Sequence, residues 1–190
     1  EAHALVRATP IAGDLELAER FCALIDPIRW PLGGLSPEQV REIRRLKARM
    51  EAERLPRGAD RKTHFKLGHG GLSDVEWVVQ LVQLQHAHAH PELRTTSTMA
   101  ALSAAESLGL IDPDHATDLA ASWRLASSMR NAGVLFRAKT VDAVPTDPRD
   151  ADGIARILGL PGGSGQELGE RYRKLARRAR AAHEAEFYDD

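Results

Sequence analysis

The residues best suited to chemistry gather in one short stretch, Lys66-x-Gly68-x-Gly70-Gly71-x-x-Asp74-x-Glu76. Three glycines let backbone approach a ligand closely and adopt positive φ. They deliver the chain into an apolar run beginning at Val75, so they precede a helix N-terminus, where N–H groups and the dipole favour an anion. Lys66 adds a positive charge. Asp74 and Glu76 add carboxylates able to hold a ribose hydroxyl or a metal-bound water. The competing reading is structural: a tight turn, with Ser73-Asp74-Val75-Glu76 forming a capping box for its own helix. The Gly-Lys-Ser/Thr ending of a Walker loop is absent, and no strand pattern precedes the glycines, so the Rossmann fingerprint fails as well.

Other constellations are weaker. His86 and His90 lie one helical turn apart, as zinc ligands do, but no Glu follows the first and no third ligand lies at a sensible offset. A polar helix end near the negative dipole pole explains them, and no metal site is expected. A polymerase-type nucleotidyltransferase needs a Gly-Ser turn followed by an Asp-x-Asp pair to hold two metals. Gly163-Ser164 has no such pair after it, and Asp112-Pro113-Asp114 has no Gly-Ser before it and reads as a helix cap. No Ser-His-Asp or Cys-His arrangement stands out, so no catalytic residue is expected in this chain.

The elements that must position these residues are helical. The chain has 190 residues and a formal net charge of −1, enough for one domain with a real core. Alanine is abundant and arginine (21) far outnumbers lysine (5); both favoured residues are good helix formers. The lone Cys22 excludes a disulfide framework and a Cys-rich zinc site and suggests a reducing compartment, hence a cytoplasmic protein. The longest apolar runs are far too short to span a bilayer, so no membrane partner is expected.

Asp14 and Pro27 bracket a helix with Leu17, Phe21, Leu24 and Ile25 at helical spacing and Cys22 on its apolar face. Ser36-Pro37-Glu38-Gln39 is a capping box with proline at the first helical position. Its stripe is Val40, Ile43, Leu46, Lys47 and Met50. The run Val75–Leu84 is apolar almost all round, which predicts a central helix. Further helices start at Thr96 or Ser97, at Asp112-Pro113 (reaching about Phe136), near 150, and at Ser164. Residues 139–150 read as a linker and residues 1–14 carry no firm assignment. No period-2 alternation or fixed repeat appears. The expectation is an all-α bundle of about six or seven helices.

Near-zero net charge hides segregation. Residues 36–66 hold ten Lys/Arg against five Asp/Glu, and 67–130 hold seven acids against three bases. The last helix carries Arg171, Arg173, Lys174, Arg177, Arg178 and Arg180 with no acid between 171 and 183. These are solvated faces or docking surfaces for an acidic partner. No recognised binding motif accompanies the arginines, so nucleic acid is not expected.

The run Lys66–Gln80 resembles the motif of the glutamine synthetase adenylyltransferase/adenylyl-removing enzymes. The resemblance extends to Ala4-Leu5-Val6-Arg7-Ala8 with Gly13-Asp14, to Val40–Arg44, to His88 and Pro91, and to the Arg-rich last helix ending Phe187-Tyr188. A shorter glycine-glycine-x-x-aspartate version occurs in the related uridylyltransferases. The resemblance implies transfer of AMP from ATP, with Mg²⁺, to a tyrosine of glutamine synthetase. It implies that this chain is the C-terminal helical domain (15–190) after the adenylylating core, with 1–14 trailing from that core or a connector. The catalytic carboxylates would then lie upstream, and the chain alone would be inactive and bind neither ATP nor Mg²⁺. Lys66, Gly68, Gly70, Gly71, Asp74 and Glu76, with Arg7 a weaker candidate, would complete the nucleotide side of that active site. The implied partners are the upstream nucleotidyltransferase domain, glutamine synthetase and a PII-type nitrogen-signalling protein. Docking of glutamine synthetase or such a signalling protein, effector sensing, or service as the helical domain of a related uridylyltransferase are the alternative roles.

Overall fold

A computed structural model describes residues 2–189. Eight α-helices and one short 3₁₀ turn succeed one another: α1 (Ala2–Leu5), α2 (Leu15–Arg29), α3 (Pro37–Glu53), α4 (Leu72–His86), the 3₁₀ turn (Pro91–Leu93), α5 (Thr98–Ser107), α6 (Pro113–Arg137), α7 (Pro148–Ile157) and α8 (Gly165–Tyr188). The all-α expectation holds. The count is eight rather than six or seven because α1 forms in the stretch that pattern left unassigned. Among the described residues, extended pairing is limited to a single bridge, His64 with Ala143.

The caps explain most boundaries. The Ser36 side chain accepts from the Gln39 N–H while the Gln39 side chain reaches back to the Ser36 N–H. Asp14 and Ser97 accept from Leu17 and Ala100, and Asp112 accepts from Asp114 and His115. The Asp112-Pro113-Asp114 run is therefore a helix cap, as its sequence suggests. Two boundaries depart from expectation. α2 runs through Pro27 to Arg29, because the Trp30 N–H still closes on the Asp26 carbonyl. The Ser73 capping box does not form: α4 starts after Gly71, with no side-chain cap on that residue.

α4 lies at the centre, as its all-round apolar sequence requires, with α5, α6 and α8 against it. Two cores result. One gathers Val75, Val78, Leu84, Leu102 and Leu119 with Phe187; the other gathers Phe65, Leu72, Met129, Ile154 and Tyr172. Trp77 stacks on His3 at 4.1 Å between ring centroids, which pins α1 to α4. Cys22 is half-buried, not a core residue. α2 stands apart and packs chiefly on α1.

Candidate functional site

The α3 stripe turns one charged residue, Lys47, into the core, where it is 2% exposed. Its ammonium lies 2.5 Å from Asp74 of α4 and 2.7 Å from Glu51, one turn along α3. Arg180 of α8 closes the cluster, 2.9 Å from Glu51 and 3.2 Å from Asp74, and also meets Glu184 at 2.7 Å. His183 sits beside it, fully buried, stacked on Phe187, with neither ring nitrogen hydrogen-bonded.

The electrostatics are self-consistent. Burial opposes charge on Asp74, but His183, Lys47 and Arg180 outweigh it and hold the carboxyl below the ordinary range. Burial opposes Glu51 likewise, and hydrogen bonds from Arg180 and Lys47 pull it down. Burial drives the His183 imidazole down to about 4, so it is neutral at pH 7. The ammonium and guanidinium are therefore the charges that keep Asp74 ionised. Donor atoms of Glu51, Asp74 and His183 lie within 4.8 Å of one another, the one such group among the described residues. Lys47 bridges both carboxylates where a metal ion would sit, and two cations already balance two acids.

The glycine loop rests on this cluster. The Gly70 N–H donates to the second Asp74 oxygen at 2.7 Å, and the Gly70 carbonyl accepts from Ser122. Asp74, three residues after Gly71, thus ties down the loop end that Ser73 was expected to cap. Gly70 has φ +66° and lies so close to α8 that a Cβ would overlap the Ala176 carbonyl. A Cβ on Gly68 would strike the His64 and Arg61 carbonyls, and one on Gly71 the Phe65 carbonyl. The close approach that needs glycine is thus made to the protein's own backbone. The N–H groups around the α4 start are also committed: Gly68 to His64, Gly71 to Gly68, Leu72 to Phe65 and Ser73 to Lys66.

The seven residues singled out from sequence therefore divide. Gly68, Gly70, Gly71 and Asp74 are buried. Lys66 is exposed, and Glu76 pairs with Arg7 at 3.1 Å on the surface. The Ser73 N–H donates to the Lys66 carbonyl, and Glu76 follows Ser73 by three residues on α4. Lys47, Glu51, Arg180 and His183 were missed. Lys47 alone carried a signal, a charge within an apolar stripe.

The comparisons bear on this arrangement. Residues 44–187 match the family model described as GlnD PII-uridylyltransferase, a span that covers α4 and every residue of the charge cluster. The chain belongs to this family. It is 55% identical over 188 residues to the bifunctional glutamine synthetase adenylyltransferase/adenylyl-removing enzyme of Streptomyces coelicolor, covering 99% of this chain and 19% of that protein. The enzyme of the same name from Leifsonia xyli subsp. xyli is 50% identical over 99% of this chain, and that of Mycobacterium avium 49% over 95%, with 19% and 18% of those proteins covered. The chain thus spans about a fifth of the length of these relatives. The family resemblance read from Lys66–Gln80 and its flanks holds.

Proposed function

We propose that this chain is the helical domain that serves the adenylylating half of a bifunctional glutamine synthetase adenylyltransferase. The observation that carries this is 55% identity across 99% of the chain to an enzyme of that name. The parent would use ATP and Mg²⁺, with glutamine synthetase as protein substrate, in the cytoplasm. Among the described residues no helix is long and apolar enough to cross a membrane.

Geometry suggests how the domain contributes. Among the described residues no acid pair is placed as a two-metal site would need, and in this reading the chemistry belongs to a core elsewhere in the parent. The buried cluster fixes the glycine loop on α8 and so sets the position of its one exposed cation, Lys66. That cation is the part of the motif that can face a nucleotide's phosphates. Gly68, Gly70, Gly71 and Asp74 act as positioning residues behind it.

Lys66→Ala in the full parent enzyme tests this. The expected result is a fall in kcat/KM for ATP of about tenfold, the loss of one charge-assisted contact, with Tm unchanged because Lys66 is exposed. Wild-type kinetics would return the loop to a purely structural role.

A second role fits alongside. Arg41, Arg45 and Arg49 are exposed at four-residue intervals along α3, and Arg171, Lys174, Arg177 and Arg178 are exposed on α8. These cations suit an acidic surface on glutamine synthetase or on a PII-type signalling protein. Salt-sensitive binding of either protein, weakened by charge reversal at Arg45 and Arg49, is the expected result.

A further inference from the structure

Lys66 is exposed, but its backbone is held on both sides. Its carbonyl accepts from the Ser73 N–H at 3.0 Å. Its own N–H donates to Nδ1 of His64 at 3.2 Å, and the N–H of Leu67 donates to the same nitrogen at 3.1 Å. A neutral imidazole carries its proton on one nitrogen and accepts on the other, so accepting at Nδ1 places the proton on Nε2. Burial lowers the pKa of His64 below the ordinary histidine value, which leaves Nδ1 free to accept at pH 7. The ring is itself anchored. His64 is 5% exposed, and its carbonyl accepts from the Gly68 N–H at 3.0 Å and from the Tyr172 hydroxyl of α8 at 3.3 Å. On either side of it, the Thr63 carbonyl accepts from the Val144 N–H and the Phe65 N–H donates to the Asp142 carbonyl. The Asp142 carboxylate in turn holds Arg130 of α6 at 2.8 Å. His64 is thus fixed to α8 and, through residues 142–144, to α6, and its ring passes that order to Lys66.

We propose that His64 is a positioning residue of the candidate site: through Nδ1 its ring fixes the backbone from which Lys66 reaches a nucleotide's phosphates. This inference rests on the function proposed above. The buried charge cluster holds the glycine loop further along, at the Gly70 N–H, whereas His64 holds it at Lys66 itself. A lysine side chain keeps its rotamer freedom until a ligand orders it, and a backbone already fixed removes the remaining part of that ordering cost. The feature that matters is an acceptor two bonds from Cβ, not the imidazole as such. Asparagine offers a carbonyl oxygen at the same distance from Cβ and accepts readily from an N–H two residues on. Glutamine carries its oxygen one bond further out, and leucine has none.

The test uses the full-length parent carrying His64→Leu, His64→Gln or His64→Asn; the Gln variant keeps a polar side chain in case His64→Leu fails to fold. Hydrogen-exchange mass spectrometry with electron-transfer fragmentation reads the Lys66 and Leu67 amides directly. Exchange about tenfold faster or more is expected in the Leu and Gln variants, with recovery to within about threefold of wild type in His64→Asn. ATP-dependent adenylylation of glutamine synthetase reads the consequence. The KM for ATP is expected to rise about tenfold in the Leu and Gln variants, as for loss of the Lys66 charge, with kcat and the KM for glutamine synthetase within about twofold of wild type. His64→Asn is expected to restore it. Added to Lys66→Ala, His64→Leu is expected to change the KM for ATP by less than about twofold, because it acts through that cation. Unchanged exchange overturns the proposal. So does faster exchange with the KM for ATP unmoved while Lys66→Ala raises it, and so does equal damage in His64→Asn and His64→Leu, which assigns the loss to packing of the ring. Wild-type kinetics in Lys66→Ala refute the function proposed above; lost protection in His64→Leu beside them leaves the ring's hold on the backbone standing and strikes its purpose alone.

Discussion

Removing Lys47 and Asp74 singly and together measures what holds the glycine loop. Lys47→Met leaves Asp74, 2% exposed, with Arg180 and the Gly70 N–H as its remaining partners. Breaking a buried pair costs about 3–5 kcal/mol, and those remaining partners place this variant near 3. Asp74→Leu strands the Lys47 ammonium against Glu51 alone and leaves the buried Gly70 N–H unpaired. The expected cost is about 4 kcal/mol, of which the orphaned N–H accounts for about 1–3. Independent effects would sum to about 7 kcal/mol. In the double variant neither buried charge is stranded, and the main remaining deficit is the unpaired Gly70 N–H. The expected loss is about 3 kcal/mol, a coupling of about 4 kcal/mol between the two sites. Urea unfolding of all four proteins, with m-values compared to confirm a common two-state transition, gives the cycle directly. Additivity within about 0.5 kcal/mol would refute the claim that the pair is a compensated buried unit.

Two further outcomes follow from the geometry. Gly70→Ala combines positive φ with overlap onto α8 backbone and should cost over 3 kcal/mol, against about 1 for Gly109→Ala, which has φ +68° but open space around it; equal Tm losses would contradict the packing argument. Acid stability tests His183, whose imidazole burial lowers from 6.5 to about 4. The unfolded chain takes up the proton at the higher value and the folded chain at the lower, so stability is level above pH 6.5 and falls as pH drops towards 4, by about 3 kcal/mol. Burial lowers His3, His64 and His86 in the same direction. The readout is therefore the difference in urea midpoint between wild type and His183→Leu at pH 7.5 and 4.5. An identical fall in both would show that His183 is not the group that titrates.

Local chemistry made the helices legible. Ser36-Pro37, Asp112-Pro113 and Ser97 carry their caps in sequence, and the apolar run of α4 could only be central. Partnership was less legible. Lys47 announced itself as a charge in an apolar stripe, but its partners lie 27 residues away in Asp74 and, through Asp74 and Glu51, 106 and 129 residues away in Arg180. No local pattern spans that distance. The loop's need for glycine was plain, whereas the backbone it approaches, α8, is a tertiary fact. Ser73 satisfied the local capping rule and lost to Asp74, whose carboxylate could serve Gly70 and Lys47 together. The α2 stripe likewise revealed a face without its partner: periodicity marks which side is apolar, not where it turns.

The place of α8 in the charge cluster has a consequence for biosynthesis. Within this chain α8 is made last, and the 106 residues between Asp74 and Arg180 take about 5–20 s to synthesise. Through that interval α4, apolar nearly all round, has no α8 to cover it, and Lys47 and Asp74 lack their third partner. A ribosome stalled before Arg180 therefore presents α4 to chaperones and proteases. Nonsense or frameshift lesions late in this segment should be removed as unfolded protein, although every residue of the glycine loop has already been made.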